Sequence, residues 1–269
     1  MDDRKTAAVQ SEKFRKGDDT MGTLLEAKEV TKIYGKSGRP SLNKVSFRVA
    51  EGEFIGIMGA SGSGKTTLLN VLSTIDTPTS GSIKIKGINL KSLNRTSAAD
   101  FRKDNLGFIF QEYFLLDSLT IRENISVPLT LLKLPPGKIE SMVRSLAERF
   151  GIASQLDKYP HELSGGQRQR ASAARAIVKR PGILFADEPT GALDSSSATE
   201  LLNALYEANR DLHTTILMVT HDAYAASFAG RILIFKDGCI IRELMNRGGS
   251  RRDFYEAVTA EITKLDTAR

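Results

Sequence analysis

The run Phe54-Ile55-Gly56-Ile57-Met58 leads directly into Gly59-Ala60-Ser61-Gly62-Ser63-Gly64-Lys65-Thr66, and helical periodicity follows from Lys65 to Leu72. No other stretch constrains the chain as tightly. A short, continuous apolar run reads as a buried strand, here ending at Gly59. Glycines between such a strand and a helix let the backbone wrap closely, so that several N–H groups point at one anion. The spacing Gly-x-x-x-x-Gly-Lys-Thr is that of a phosphate loop: Lys65 is expected to reach the β- and γ-phosphates of a nucleotide, and the Thr66 hydroxyl to ligate Mg²⁺. A Gly/Ser-rich turn can match by chance, but here the required strand stands before it and the required helix after it.

Composition narrows the setting. The 269 residues suit one large domain, or one domain with an inserted subdomain; 41% are hydrophobic, enough for a core, and 26% are charged. Cys239 is the only cysteine, which excludes an internal disulfide and a Cys/His zinc cluster. No uncharged apolar stretch reaches the length of a membrane span, and Met1-Asp2-Asp3-Arg4-Lys5 leads into no apolar run of a secretory signal. The net charge is +6, but it is spread along the chain, tryptophan is absent and no basic run has interleaved aromatics, so no nucleic-acid partner is expected.

Residues 1–22 are polar and poor in large apolar residues and read as a disordered tail; Met21 is either a start site or a residue within it. Strand character follows over Leu25 to Ile33, Val45 to Val49 and Ser82 to Leu90, the last with a turn at Gly87. From about 113 to 180 helical spacing takes over, broken at Pro135-Pro136-Gly137. Ile183-Leu184-Phe185-Ala186 returns to a buried strand, Ser195 to Asn209 reads as a helix, Thr215 to Thr220 as a strand, and Ile232 to Phe235 with Cys239 to Arg242 as a hairpin around Asp237-Gly238. Arg251 to Leu265 places Phe254, Val258, Ile262 and Leu265 on one helical face. The order is α/β, a helical insertion, then α/β again.

Two further motifs carry chemistry. The strand Ile183 to Ala186 ends in Asp187-Glu188-Pro189. Asp187 suits the holding of Mg²⁺ through water, and Glu188 would then stand beside the γ-phosphate and polarise an attacking water. Leu163-Ser164-Gly165-Gly166-Gln167 heads an Arg- and Ala-rich helix, and a helix N-terminus with two glycines is a second anion site. This pentapeptide resembles the signature of the ATP-binding-cassette (ABC) ATPases. The resemblance covers about residues 24–240, with the motifs in one order. It implies a P-loop NTPase (RecA-like) core over 23–112 and 181–243 with an antiparallel β subdomain, an inserted α-helical signature subdomain over 113–180, and a C-terminal helical extension over 244–269.

Membership implies roles for further residues. Tyr34 matches the aromatic that stacks on adenine, with a core tyrosine as the alternative reading. Gln111, after Leu106-Gly107-Phe108-Ile109-Phe110, matches the glutamine that senses Mg²⁺ and the γ-phosphate. Ala192-Leu193-Asp194 matches the D-loop, with Gly191 where a serine is common, and His221, after Met218-Val219-Thr220, matches the switch histidine; His161 and His213 read as surface or loop residues. The expected ATP-binding set is therefore Tyr34, Gly59 to Thr66, Thr67, Gln111, Ser164, Gly165, Gly166, Gln167 and Asp194. The expected Mg²⁺ set is Thr66, Gln111 and Asp187, and Glu188, His221 and Lys65 are the expected catalytic groups. In the family two cassettes pack head to tail, and the signature of one faces ATP on the other. Gln111 to Leu116 would join the γ-phosphate sensor to the groove that receives a permease, with Tyr113, Phe114 and Leu115 either exposed there or packed in the insertion.

Within the family the chain resembles the branch of macrolide-exporter and lipoprotein-release ATPases, nearest to bacitracin-type antimicrobial-peptide resistance transporters of Gram-positive bacteria. The residues that carry this are Glu53 to Gly59, Leu69-Asn70-Val71-Leu72-Ser73-Thr74-Ile75-Asp76, Leu106 to Gln111, Phe185 to Asp194 and the short tail after Gly248-Gly249. That branch implies an FtsX-like permease, a sensor histidine kinase linked through it, and a bacterial protein held at the cytoplasmic face of the plasma membrane. The alternatives are another cargo in the same branch, such as lipoprotein release or control of cell-wall hydrolases, or a soluble ABC ATPase acting on DNA or ribosomes. Those soluble ATPases carry paired cassettes, long coiled-coil insertions or zinc modules.

Overall fold

The computed structural model describes residues 22–35 and 38–267. The tail expected over 1–22 lies, except for Gly22, outside the described residues. Two sheets form the frame. An antiparallel sheet has the order β2-β1-β4-β5, from β1 (Thr23–Lys32), β2 (Leu42–Ala50), β4 (Ser80–Ile85) and β5 (Ile88–Asn89). A larger sheet has the order β10-β9-β3-β8-β7-β6, from β3 (Phe54–Met58), β6 (Leu106–Ile109), β7 (Ile183–Asp187), β8 (Thr215–Thr220), β9 (Arg231–Lys236) and β10 (Cys239–Met245). Its strands are parallel except at the β9–β10 hairpin.

The larger sheet is covered on both faces, and strand alternation sorts the side chains between them. Ile55, Ile57, Ile183, Phe185, Leu217, Val219, Leu233 and Phe235 point to one core, with helix α1 (Lys65–Leu72), helix α2 (Arg95–Asn105) and the antiparallel sheet. Phe54, Met58, Leu184, Ala186, Ile216, Met218, Ile232 and Ile234 point to the other. That second core takes the inserted helices α3 (Ile121–Leu131), α4 (Pro136–Arg149) and α5 (Gly165–Ile177), followed by α6 (Ser195–Leu212), α7 (Ala223–Ala226) and α8 (Arg251–Thr267).

Local chemistry sets the helix starts. Thr120 and Glu123 form a reciprocal capping box at α3, and Pro136 opens α4 where its missing N–H has no partner to lose. Asp194 caps α6 by accepting from Ser196 and Ser197 N–H at 3.0 Å each. The fully buried Asn124 closes the loop before α3: its amide donates to the carbonyls of Leu116, Leu119 and Thr120 and its carbonyl accepts from Leu116 N–H. Phe254 and Val258 of α8 are buried, as their spacing predicts. Helix α2, capped by Asn94, was not anticipated: its mean hydropathy is strongly polar and Phe101 is its one buried side chain. No helix among the described residues is long and apolar enough to cross a membrane.

Candidate active site

The ends of β3, β7 and β8 converge, and the loops that leave them carry the candidate groups. After β3 the chain turns through the phosphate loop into α1. Gly64 lies at φ 107°, a left-handed conformation that disfavours any side chain, and α1 begins there with no side-chain cap. Gly59 is needed for a different reason: a β-carbon there would stand 2.1 Å from the Phe235 carbonyl oxygen of β9. Lys65 is buried, and its ammonium donates to the carbonyls of Gly59 (2.8 Å) and Ala60 (2.9 Å). Burial lowers its pKa, and the charges of Glu188 and Asp187 partly oppose that. Ser61, Gly62 and Thr66 are exposed, whereas the Ser63 hydroxyl is buried without a hydrogen-bond partner among the described residues.

Asp187 ends β7 half-buried. Burial pushes its carboxyl pKa up, the Glu188 charge adds to this, and Lys65 opposes it. Glu188 then adopts φ 46°, a strained backbone conformation for glutamate that costs on the order of 1–3 kcal/mol. Its N–H donates to Val219 O of β8 at 2.9 Å, which holds the turn. The result is a direct meeting of two candidate catalytic groups: Glu188 Oε1 lies 2.9 Å from His221 Nδ1, and His221 N–H donates to Glu188 Oε2 at 3.3 Å. His161 and His213 stay apart from this pair, the first exposed in a short 3-10 turn and the second closing α6 in a left-handed conformation.

Gln111, exposed two residues beyond β6, lies against Gly191. A β-carbon on Gly191 would stand 3.1 Å from Gln111 Nε2 and 3.3 Å from Glu188 O. Glycine in the D-loop thus gives the glutamine room beside the Glu188 turn. Asp194 is exposed, and the Ser197 N–H and hydroxyl lead the interactions that lower its pKa. The signature sits at the start of α5, where Ser164 Oγ accepts from Gln167 N–H (3.3 Å) and Gln167 Oε1 accepts from Ser164 N–H (3.0 Å). Gly166 packs on α6: a β-carbon there would meet Ser197 Oγ at 2.4 Å. Tyr34 stands beside the segment that follows α1, where its hydroxyl donates to Asp76 Oδ2 at 2.8 Å.

Two features escape a motif reading. Gln169, fully buried in α5, donates from one amide nitrogen to Phe110 O and to Pro189 O, each at 2.7 Å. It therefore ties the signature helix to the carbonyls of Phe110, just before Gln111, and of Pro189, just after Glu188. Arg175, also on α5, donates to Phe114 O (2.6 Å) and Tyr113 O (3.1 Å), and burial lowers its pKa. Of the aromatic segment Tyr113 to Leu115, Phe114 is exposed (59%) while Leu115 packs against the core. Phe114 helps line a cavity of about 350 Å³ with Gln111, Glu112, Pro160 and Arg168.

A strand, a glycine-rich loop and a lysine at a helix start, facing two acids at the end of a parallel strand, define a P-loop nucleotide hydrolase. The ABC transporter family matches residues 42–191. The chain is similar to the bacitracin export ATP-binding protein BceA of Halalkalibacterium halodurans, at 51% identity over 87% of this chain and 94% of that protein. It is also similar to the macrolide export ATP-binding/permease protein MacB of Aggregatibacter actinomycetemcomitans, at 40% identity over 83% of this chain and 35% of that protein. Among solved structures it matches the dimeric ATP-binding cassette MJ0796 in a post-hydrolysis state bound to ADP and Pi, with TM-score 0.76, 36% identity and coverage of 84% of this chain and 100% of that one. The chain belongs to the ABC transporter family, and it is an ATPase.

Proposed function

We propose that this chain drives an exporter as one of two identical cassettes beneath an FtsX-like permease, at the cytoplasmic face of a bacterial plasma membrane, in antimicrobial-peptide resistance of the bacitracin type. The likeness to the bacitracin export protein supports the cargo class, and the relatives named as fused ATP-binding/permease proteins support a permease partner. A dimeric cassette among the similar structures supports the pairing. A sensor histidine kinase reached through the permease belongs to the same reading. The groove at Phe114 is the surface we assign to the permease.

The observation that carries the catalytic reading is the Glu188–His221 pair at the ends of adjacent strands β7 and β8, facing the loop that holds Lys65. ATP would bind with its phosphates on the N–H groups of Gly59 to Thr67, its charge met by Lys65, and its base on Tyr34. Glu188 would orient the attacking water, and His221 would hold the γ-phosphate. Ser164, Gly165, Gly166, Gln167 and Asp194 would serve the nucleotide of the second copy, so that closure excludes water and adds donors for the charge that develops. Thr66, Asp187 and Gln111 offer a hydroxyl, a carboxylate and an amide oxygen. That set fits a hard divalent cation such as Mg²⁺, which completes its shell with water and phosphate oxygens. The half-buried Asp187 carboxylate, disfavoured by burial and by Glu188, is a group that a cation would stabilise. When bound, Mg²⁺ would neutralise phosphate charge.

The test is Glu188→Gln. The variant should bind ATP, accumulate as an ATP-dependent dimer on gel filtration, and hydrolyse ATP slower by roughly 10²- to 10⁴-fold. Turnover at the parental rate would overturn the assignment.

A further inference from the structure

Tyr34 is half-exposed (49%), yet its ring is held at several points. Its hydroxyl donates to Asp76 Oδ2 at 2.8 Å. The Lys32 ammonium lies 4.8 Å from the ring centroid, on one face. Lys32 is in turn fixed, donating to Asp76 Oδ1 at 2.6 Å and to Thr77 O at 2.8 Å. Asp76 also accepts from Thr77 N–H at 2.7 Å, and its own N–H donates to Asn70 O in α1 at 3.0 Å. The clamp therefore belongs to the helix that the phosphate loop opens.

This network is not needed to join β1 to the segment after α1. Backbone groups already do that: Thr79 N–H donates to Thr31 O at 2.8 Å, and β1 pairs with β4. An exposed ring gains little burial from being fixed, while charge-assisted hydrogen bonds are the strong kind. What the clamp does accomplish is orientation. One face of the ring is taken by Lys32, and the hydroxyl is pinned at Asp76. A half-exposed ring fixed in this way offers a planar base a surface already set for stacking.

We propose that Asp76 and Lys32 are positioning residues for the nucleotide base, fixing the Tyr34 ring before ATP arrives so that its ordering cost is not charged to binding. The proposal rests on the reading of Tyr34 as the base-stacking residue. Fixing a side chain in its bound rotamer strengthens binding without any new contact to the ligand.

The experiment measures equilibrium affinity of the full-length chain for ATP and for inorganic triphosphate, which has no base. Asp76→Ala should weaken ATP by roughly 3- to 10-fold and leave inorganic triphosphate within twofold. Tyr34→Phe, which keeps the ring and loses only the hydroxyl, should reproduce that loss. Tyr34→Ala should weaken ATP by about tenfold or more, and adding Asp76→Ala to it should cost nothing further. Equal losses for both ligands in Asp76→Ala would make Asp76 a structural residue and overturn the proposal. An unchanged ATP affinity in Asp76→Ala and Tyr34→Phe, with Tyr34→Ala still weak, would overturn the clamp but leave the stacking role standing. An unchanged affinity in Tyr34→Ala would remove both.

Discussion

Glycine-rich backbone stands at the starts of both α1 and α5, and the two starts are built differently. Helix α1 opens from Gly64 with no side-chain cap, so its first N–H groups meet no competing side chain. Helix α5 opens from Ser164 with a complete capping box, so Gln167 N–H is already engaged. The glycines also answer to different neighbours. Gly59 is forced by the backbone of the neighbouring strand β9, whereas Gly166 is forced by Ser197 of α6 and a β-carbon on Gly165 would stand 3.0 Å from Tyr113 Oη. Charge differs as well. Lys65 feels the charges of Asp187 and Glu188 at the end of β7, while near the signature Arg170 pairs with Glu200 and Arg168 lies over Tyr113. One chain therefore finishes its phosphate loop by itself. Its signature is a packed helix start, and on the proposed reading the exposed Ser164 would meet a phosphate brought by a second chain.

The comparison breaks most readily at Gly59. In Gly59→Ala the new methyl would overlap the Phe235 carbonyl at 2.1 Å, and neither partner is a side chain that can swing away. ATP affinity of the isolated chain should fall by roughly 100-fold or more, read by equilibrium titration. Affinity within threefold of the parent would mean that this loop is not the phosphate cradle. Gly166→Ala should behave otherwise. Its methyl would meet Ser197 Oγ at 2.4 Å and Ser197 Cβ at 2.7 Å, so α5 and α6 must part slightly. ATP should bind the single chain as before, while turnover falls by roughly 10- to 100-fold, because a misplaced signature cannot complete the paired site. A joint loss of affinity and turnover would show that the two helix starts are not independent.

The phosphate loop and the strands around it were legible because each follows from short-range rules. A continuous apolar run predicts a strand buried on both sides, and β3, β7 and β8 are that. The hairpin at Asp237-Gly238 was equally local, with both residues at positive φ. Helix α2 was not legible, because its polar sequence buries only Phe101 and shows almost no apolar period. Gln169 was invisible for a different reason. Nothing in Arg168-Gln169-Arg170 announces that the middle residue faces inward to two carbonyls that lie 59 and 20 residues away. The motif reading brought Glu188 and His221 to one site, but their direct contact depends on the left-handed turn at Glu188, which no spacing rule supplies.

The smallest effect tests the cap on the signature side. Ser164→Ala removes the oxygen that accepts from Gln167 N–H and leaves that donor to water. An N-cap of this kind contributes about 1 kcal/mol, which for a domain of this size shifts Tm by roughly 2–4 °C. Single-chain ATP affinity should not move, because the phosphate loop lies on another helix. Ser164→Asn supplies a cap of equal quality without the hydroxyl, so it should restore Tm. If it restores Tm but not turnover, the hydroxyl has a use beyond its own helix, as a site completed by a second chain requires. If alanine leaves both Tm and turnover unchanged, Ser164 is neither cap nor contact, and the contrast between the two helix starts reduces to glycine packing alone.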